Sequence, residues 1–189
     1  MAKNHTFHCK DESATALAVQ QLSQAIVSFY TTVNTNTTNT TASNPPPSLF
    51  VSLDGDLGAG KTTATRYLLK AMGYGGKVKS PTYSLCEEHM LDLPNHQSLH
   101  VFHFDLYRMQ SPQEWQEAGL LEHFSPSQEP TLCIVEWPGK AEHTLPTMDL
   151  AITLIHPNAN ESELARTVVI DAQTAKGQAI VETLASLGT

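Results

Sequence analysis

The chain has 189 residues, 40% of them hydrophobic, with a formal net charge of −8 and three cysteines. This size supports one full hydrophobic core and is a tight fit for a second, so we expect residues 1–189 to form a single domain. The acidic balance argues against a large footprint on DNA or RNA, and no run approaches the about 18 apolar residues that span a bilayer. Widely spaced cysteines without metal-ligand pairing suit a reducing compartment, so we expect a cytoplasmic protein.

The N-terminal quarter predicts a helix followed by a long polar loop. Apolar residues recur at helical spacing from residue 11 to residue 30, which predicts an amphipathic helix lying on the core. The Thr/Asn/Pro-rich tract 31–48 offers little apolar surface to bury, and its prolines lack backbone N–H donors. We therefore expect a surface loop within the domain. A domain boundary in this tract is the alternative, but one helix is too little to fold alone.

The remaining segments alternate between strands and helices. A helix is predicted over 61–72, a helix-like segment over 114–124 is interrupted by Gly119, and a short helix is predicted over 179–187. Strands are predicted at 49–53, 77–79, 83–90, 99–104, 131–135, 150–155 and 166–170. The polar stretch 92–98 turns one strand back toward the next, so at least one pair should be antiparallel. The pattern predicts an α/β sandwich with a mixed parallel and antiparallel central sheet flanked by helices.

A glycine-rich loop stands between the first of these strands and the helix that follows it. Residues 55–62 read Gly-Asp-Leu-Gly-Ala-Gly-Lys-Thr, which fills every required position of the phosphate-cradling P-loop. Gly58 and Gly60 allow a tight turn whose N–H groups point at an anion. Lys61 can reach the β- and γ-phosphates, and Thr62 can offer its hydroxyl to Mg²⁺. The other loop residues expected to bind the nucleotide are Asp56, Leu57, Ala59 and Thr63.

The flanking elements make this loop more specific than an ordinary glycine turn with a surface lysine, which is the alternative interpretation. A strand precedes it, and the positive N-terminal end of the following helix is directed at the phosphates. The sequence therefore predicts a single-domain P-loop NTPase that binds a nucleotide together with Mg²⁺.

Two acidic residues follow apolar strands, at the edge of the sheet where ligands bind in open α/β folds. Asp105 has the arrangement of a Walker-B acid that holds Mg²⁺, with a turn cap or a pair with Arg108 as the alternative. Glu136 is a candidate for orienting the attacking water or a metal-bound water, with a structural salt bridge as the alternative. We therefore expect Thr62, Asp105 and Glu136 at the metal.

Two further residues are candidates for the same site. Thr82, in a Ser-Pro-Thr turn, can bring its hydroxyl to the Mg²⁺ and γ-phosphate region as a switch loop does, although prolines also form turns without a function. Trp137 can stack on a nucleotide base or contact a partner, with plain packing as the alternative. The expected catalytic set is thus Lys61, Thr82 and Glu136.

Two other groups of residues are weaker candidates for function. Four histidines cluster in the sequence, namely His89, His96, His100 and His103. Zinc is disfavoured because the spacing of the last two places them on opposite faces of a strand. A basic run consists of Lys61, Arg66, Lys70, Lys77 and Lys79, with no acidic residue among them. It complements bound phosphates and a helix C-terminus, and a small contact with RNA is the alternative.

The ordered motifs Gly-Asp-Leu-Gly-Ala-Gly-Lys-Thr-Thr, Ser-Pro-Thr-Tyr, His-Phe-Asp-Leu-Tyr-Arg and Val-Glu-Trp-Pro closely resemble the TsaE (YjeE) family of small bacterial P-loop ATPases. The resemblance covers about residues 49–154. It implies an accessory ATPase for the threonylcarbamoyladenosine (t6A) modification beside the anticodon of tRNAs. It also implies docking on the proteins TsaB and TsaD, so tRNA would be held mainly by these partners and reached by this chain mainly indirectly, through the complex.

The resemblance also implies residue roles. Gly58, Gly60, Lys61 and Thr62 would serve phosphate and Mg²⁺, and Asp105 would bind the metal. Glu136 would be the acid needed for turnover, and Trp137 would lie next to the nucleotide. The resemblance also gives further support to Thr82 as a residue of the site.

Three other functions remain open beside the accessory ATPase. A P-loop kinase for a small-molecule acceptor is the main enzymatic alternative, although no arginine-bearing lid is evident. A GTPase is disfavoured because the chain has no Asn-Lys-x-Asp motif for reading guanine. The third alternative is a nucleotide-locked adaptor, in which bound ATP stabilises a conformation that partner proteins recognise and is not significantly hydrolysed.

Overall fold

Seven β-strands of the described chain form one mixed sheet. The computed structural model describes residues 3–35, 47–157 and 162–187. The strands are β1 (Asn4–Cys9), β2 (Ser48–Asp54), β3 (Cys86–Asp92), β4 (Ser98–Asp105), β5 (Thr131–Glu136), β6 (Leu150–Ile155) and β7 (Arg166–Ala172). Their spatial order is β1-β7-β6-β2-β5-β4-β3.

The centre of the sheet is parallel and its edges are antiparallel. Strands β4, β5, β2 and β6 run in one direction, while β3 pairs antiparallel with β4, β7 with β6 and β1 with β7. All six residues of β5 are buried, as expected for a central parallel strand covered on both faces. The predicted mixed sheet is therefore confirmed.

Helices cover both faces of the sheet. They are α1 (Glu12–Thr35), α2 (Lys61–Ala71), α3 (Glu114–Glu117) and α4 (Ala175–Leu187), with short 3₁₀ helices at Leu120–Phe124, Pro138–Lys140 and Glu142–Thr144. Helix α1 contacts both α2 and α4, and the three share the larger core on one face. Helix α3 and the first 3₁₀ helix supply Trp115 and Leu120 to the smaller core on the other face. None of the described helices combines the length and apolar character needed to cross a membrane.

The alternation of side chains along β5 shows how one strand serves both cores. Leu132 and Ile134 belong to the larger core, and Cys133 and Val135 belong to the smaller one. Glu136 continues the parity of Leu132 and Ile134, so its side chain belongs to the face that carries α2. This parity decides where the acidic residue at the end of the strand meets the glycine-rich loop.

Several predicted boundaries are wrong. Residues 77–79 form no strand, because Val78 is the one buried residue there and the lysines beside it are exposed. The strand predicted at 83–90 begins at Cys86, since residues 82–84 form a turn and Leu85 has a φ of 64°. Helix α4 begins at Ala175, four residues before the predicted start.

The predicted surface loop 31–48 is wrong at both ends. Helix α1 continues to Thr35, and Ser48 already belongs to β2. The rest of that loop, residues 36–46, lies outside the described residues. The sequence also gave no prediction for β1, an edge strand with one fully buried residue, Cys9, whose half-exposed alternation is a weak signal.

Candidate functional site

The glycine-rich loop connects β2 to α2 at the carboxyl edge of the parallel strands. Gly58 has a φ of 79° and Gly60 a φ of 104°, in the left-handed region that favours glycine. A Cβ atom at Gly55 would lie 2.4 Å from the carbonyl oxygen of Leu154, so this position also requires glycine for space. The loop therefore has the backbone shape that its sequence predicts.

Lys61 begins α2 and is only 5% exposed. Its Nζ atom donates to the carbonyl oxygens of Gly55, at 2.6 Å, and Asp56, at 3.0 Å. The same atom lies 3.5 Å from the centroid of the Trp137 ring. Burial lowers the pKa of Lys61, and nearby carboxylates, Glu136 first among them, oppose that shift. The ammonium is thus held at the inner side of the loop, where it can meet an anion.

Glu136 lies at the meeting point of three strands. In the sheet register it is paired with Leu53 of β2 on one side and Asp105 of β4 on the other. Its Oε2 atom accepts a hydrogen bond from the Thr62 hydroxyl at 3.0 Å, and its Oε1 atom lies 2.7 Å from Nε2 of His103. Glu136 is 2% exposed and His103 is fully buried, so neighbouring side chains fix the carboxylate on both sides.

Asp105 is held by the turn that precedes β3. Its Oδ2 atom accepts hydrogen bonds from the hydroxyls of Ser80, at 2.7 Å, and Thr82, at 2.6 Å. Its Oδ1 atom accepts from the backbone N–H of Tyr107 at 3.1 Å. No ion pair joins Asp105 to Arg108 in the part of the chain that the structure describes. The Arg108 guanidinium instead lies 4.1 Å from the ring centroid of the exposed Tyr83.

These groups surround one open cavity of about 380 Å³, within the range of about 300–1,000 Å³ that is common for small-molecule sites. The predicted site residues that line it are Leu57, Gly58, Gly60, Lys61, Thr62, Thr63, Thr82, Asp105, Glu136 and Trp137. Asp56 and Ala59 do not line it. The Asp56 carbonyl holds Lys61, and Ala59 is 2% exposed and packed in the core. The structure therefore brings ten of the twelve predicted residues to one cavity.

Trp137 is placed by an unusual backbone. Its φ of 60° and ψ of 50° lie in the left-handed region, which tryptophan rarely adopts. The turn puts its ring over the Lys61 ammonium, and the Tyr107 ring lies 5.0 Å away, centroid to centroid. Backbone strain at a non-glycine residue is typical of functional sites. Trp137 packs against the smaller core and also lines the cavity.

Four residues that shape the site were not among those predicted from the sequence. Ser80 and Tyr107 line the cavity, His103 contacts Glu136, and Arg166 donates hydrogen bonds to carbonyls of the glycine-rich loop. The Arg166 Nε atom donates to the Ala59 carbonyl at 3.0 Å, and Nη2 donates to the Gly58 carbonyl at 3.3 Å. Ser80 begins the Ser-Pro-Thr-Tyr motif and His103 begins the His-Phe-Asp-Leu-Tyr-Arg motif, so both could have been predicted from the sequence. Arg166 has no local signal, because it lies more than 100 residues from the loop it contacts.

The oxygen donors at the cavity fit a hard divalent cation such as Mg²⁺. One hydroxyl, on Thr62, and two carboxylates, on Asp105 and Glu136, are the ligand types that Mg²⁺ takes alongside phosphate oxygens. Among the described residues, no group of three or more His, Cys, Asp and Glu side chains is placed to hold a metal ion. His100 pairs with Glu129 at 2.7 Å, and it is not part of the cluster around Glu136.

The fold and this loop together define the class of the protein. A glycine-rich turn between a central parallel strand and the N-terminus of a helix, with acidic residues at the ends of two neighbouring strands, is the arrangement of P-loop α/β proteins.

Comparison with known proteins gives the family. The sequence model described as "Threonylcarbamoyl adenosine biosynthesis protein TsaE" matches residues 10–167. Since that match covers most of the chain, the chain belongs to the TsaE family, and the resemblance drawn from the four motifs is confirmed. The family is one of tRNA threonylcarbamoyladenosine biosynthesis proteins.

Individual relatives agree with this assignment. The chain is 38% identical over 133 residues to the tRNA threonylcarbamoyladenosine biosynthesis protein TsaE of Haemophilus influenzae, a match that covers 70% of this chain and 76% of that protein. It is 35% identical over 129 residues to the Bacillus subtilis protein of the same name, with coverage of 68% and 75%. The crystal structure of Bacillus subtilis YdiB superposes with a TM-score of 0.67 at 24% identity, covering 100% of this chain and 99% of that one. This last likeness shows the fold alone.

Proposed function

We propose that the chain is a Mg²⁺-dependent ATPase that serves t6A modification of tRNA as an accessory protein, together with TsaB and TsaD. The observation that carries the proposal is the convergence of Lys61, Thr62, Asp105 and Glu136 on one cavity at the glycine-rich loop. Membership of the TsaE family supports the link to tRNA modification. The three free cysteines suit the reducing cytoplasm in which we place this activity.

The loop and the start of α2 would bind the phosphates of ATP. Backbone N–H groups and the Lys61 ammonium supply positive charge, and the helix N-terminus adds its dipole. Thr62, Asp105 and Glu136 would hold Mg²⁺, which would neutralise charge on the β- and γ-phosphates. The hydroxyl of Thr82 already donates a hydrogen bond to Asp105, so Thr82 would move together with that carboxylate when the metal binds.

We assign to Glu136 the role of orienting the attacking water. The carboxylate is buried, its orientation is fixed by Thr62 and His103, and it lines the phosphate cavity. A positioned carboxylate within hydrogen-bond reach of a water can orient it for attack. This role explains why the carboxylate is buried and held at both oxygens by its neighbours, and why it nevertheless lines the cavity.

A second cavity supplies a place for the nucleoside. It has a volume of about 210 Å³ and adjoins the phosphate cavity, because Gly58, Gly60 and Thr63 line both cavities. Its remaining walls come from Glu12 and Thr15 of α1, Ala59, Ala64 and Tyr67 near or on α2, and Leu164 and Arg166 beside β7. ATP would thus lie across the loop, with its γ-phosphate toward Glu136.

The charge of the phosphate cavity supports dependence on partners. Among the described residues that line it, Lys61 is the single cation. Phosphoryl transfer is accelerated by a second positive group, often an arginine supplied by another protein. We therefore propose that turnover is weak in the isolated chain and rises when TsaB and TsaD are bound, and that these partners hold most of the tRNA.

The test is Mg²⁺-dependent ATP hydrolysis by the purified chain, alone and with TsaB, TsaD and tRNA. Glu136→Ala should retain ATP binding and lose turnover, whereas Glu122→Ala, at an exposed position away from the cavity, should behave as the unmodified protein. Turnover that rises with the partners and disappears in Glu136→Ala supports the proposal.

Two other outcomes favour the alternative functions. Turnover unaffected by the partners favours a P-loop kinase and calls for a screen of small-molecule acceptors. Tight ATP binding without turnover in any mixture favours the nucleotide-locked adaptor. In that case Glu136→Ala should still support the action of TsaB and TsaD, while Lys61→Ala should not.

A further inference from the structure

Arg108 and Tyr83 make a surface contact that the proposed chemistry does not use. The Arg108 guanidinium lies 4.1 Å from the centroid of the Tyr83 ring. The Tyr83 residue is 85% exposed and Arg108 is exposed as well. Within residues 3–35, 47–157 and 162–187, no ion pair joins Arg108 to a carboxylate. A cation–π contact is weak where water reaches both groups, so little free energy holds the guanidinium on the ring.

This contact lies beside the phosphate cavity, because each of its residues follows a residue of the cavity wall. Thr82 and Tyr107 line the cavity, and Tyr83 and Arg108 are the next residues along the chain. The two segments also meet inside the cavity, where the Thr82 hydroxyl donates to Oδ2 of Asp105 at 2.6 Å. Adjacent Cα atoms are about 3.8 Å apart, so the Arg108 side chain starts within one residue of the cavity wall.

The backbone that leads to Arg108 is fixed to the proposed metal site. The N–H of Leu106 donates to the carbonyl of Glu136 at 3.2 Å, and the N–H of Tyr107 donates to Oδ1 of Asp105 at 3.1 Å. An exposed arginine changes position by rotation about its side-chain bonds alone. The guanidinium can therefore leave the surface and turn toward the cavity without movement of this backbone.

The phosphate cavity lacks a second positive group. Among the described residues that line it, Lys61 is the single cation. Phosphoryl transfer places negative charge on the oxygens of the γ-phosphate, and a guanidinium binds two such oxygens at once. We propose that Arg108 is a catalytic residue that leaves Tyr83 to contact the γ-phosphate in the transition state. This inference rests on the proposed ATPase function.

The contact with Tyr83 also gives a physical reason for partner-dependent turnover. While the guanidinium lies on the ring, the γ-phosphate is without its second cation. A partner surface that covers the exposed ring would compete with Arg108 for it and would favour the inward position of the arginine. The chain would thus supply the arginine itself, and TsaB and TsaD would release it.

The first test compares three variants in the complex with TsaB and TsaD. Arg108→Ala removes the guanidinium, and Arg108→Lys keeps the charge without the planar fork. Lys140→Ala is the matched control, which removes one positive charge at an exposed position outside the cavity. The readouts are ATP turnover, ATP affinity by equilibrium dialysis, and retention of ADP with Mg²⁺ and aluminium fluoride, which imitate the transferring phosphoryl group.

We expect Arg108→Ala to lower turnover in the complex by about 100-fold and to abolish retention of ADP with aluminium fluoride. Affinity for ATP should change little, because the contact forms in the transition state. Arg108→Lys should recover little of either loss, and Lys140→Ala should behave as the unmodified chain. Unchanged ATP affinity also shows that the variants fold.

The second test uses the isolated chain, without partners. Tyr83→Leu removes the ring that holds the guanidinium at the surface, so it should raise turnover several-fold. The gain should be absent from the double variant Tyr83→Leu with Arg108→Ala, because there is then no guanidinium to release.

Three results would overturn the proposal. The first is full turnover by Arg108→Ala in the complex, and the second is an equal loss in Arg108→Ala and Lys140→Ala. The third is no gain from Tyr83→Leu, or a gain that persists in the double variant. Failure of the ATPase proposal has a different signature, in which the unmodified chain itself neither hydrolyses ATP nor retains ADP with aluminium fluoride in any mixture.

Discussion

Nε2 of His103 lies 2.7 Å from Oε1 of Glu136, and neither side chain is more than 2% exposed. The contact crosses from β4 to β5, two strands that are neighbours in the sheet. Because Oε2 of Glu136 accepts from Thr62, the two oxygens of one carboxylate have separate partners. A buried carboxylate with two fixed partners keeps one orientation, which is what a residue that positions water requires.

The first prediction concerns His103 as the positioning residue for Glu136. His103→Leu removes the donor to Oε1, whereas His103→Gln retains an N–H donor on a side chain of similar reach. We expect the leucine variant to lose about 10–100-fold in ATP turnover with little change in ATP affinity, and the glutamine variant to recover most of the loss. Single-turnover hydrolysis combined with equilibrium ATP binding separates the two quantities. Equal losses in both variants, or turnover unaffected by leucine, would contradict the positioning role.

The position of Glu136 could be predicted, but its surroundings could not. An apolar run followed by an acid predicts a strand-end carboxylate, and the glycine-rich loop predicts its own shape, because both signals are local in sequence. The bond to His103 depends on the register between β4 and β5, which no local pattern specifies. The sequence offers His103 as one of four clustered histidines, and nothing local to it indicates the contact with Glu136.

The same distinction applies to the fold. The five strands β2, β4, β5, β6 and β7 were predicted to within two residues at each end, because their apolar runs are dense. The exposed lysines 77 and 79 around one buried valine imitate strand alternation without forming a strand. Edge strand β1 pairs with β7, more than 150 residues away, and gains its stability from that distant partner.

The second prediction concerns Arg166, which donates to the carbonyls of Gly58 and Ala59. These bonds hold the loop by its carbonyl oxygens, and its N–H groups would face the phosphates of bound ATP. Arg166→Ala should weaken binding of ATP by about tenfold, equivalent to about 1.4 kcal/mol, and Arg166→Lys should recover little because one ammonium cannot replace the planar fork.

Inorganic triphosphate distinguishes the two ways in which Arg166 can act. Arg166 also lines the cavity that we assign to the nucleoside. If the residue acts through the shape of the loop, affinity for triphosphate should fall as much as affinity for ATP. A loss confined to ATP would show instead that Arg166 contacts the nucleoside.

The third prediction uses Trp137 as a reporter of phosphate binding. The Lys61 ammonium lies 3.5 Å from the centre of the indole ring, an arrangement worth about 0.5–2 kcal/mol as a cation–π contact. Phosphates that attract the ammonium should change this contact and therefore the emission of Trp137. The second tryptophan, Trp115, is 1% exposed and donates to Thr144, so it should be silent.

Fluorescence titration of Trp115→Phe with Mg²⁺ and ATP tests this directly, because Trp137 is then the one tryptophan of the chain. The matched variant adds Lys61→Ala, which should shift the emission of the nucleotide-free protein and abolish the response to ATP. Unchanged emission at ATP concentrations that saturate binding by equilibrium dialysis would contradict the prediction.

The last prediction concerns the junction between β6 and α4, where Gly177 allows a close approach. A Cβ atom at this position would lie 1.9 Å from the carbonyl oxygen of Asp149, a backbone atom that cannot rotate away. Asp149 is itself fixed, because its carboxylate accepts from the backbone N–H of Phe50 at 2.9 Å and pairs with Lys176 at 3.0 Å. Gly177→Ala should therefore force α4 away from the sheet.

We expect Gly177→Ala to lower the free energy of unfolding by about 1–3 kcal/mol, even though alanine is the better helix former by about 1 kcal/mol. Gly139→Ala is the control, since a Cβ atom at Gly139 meets nothing within 4 Å and its φ lies outside the left-handed region. That variant should be neutral or more stable by up to about 1 kcal/mol, through a less flexible unfolded chain. Urea unfolding with a common m-value measures both changes. Equal effects of the two substitutions would show that α4 yields without cost, and that the Asp149 contact does not fix its position.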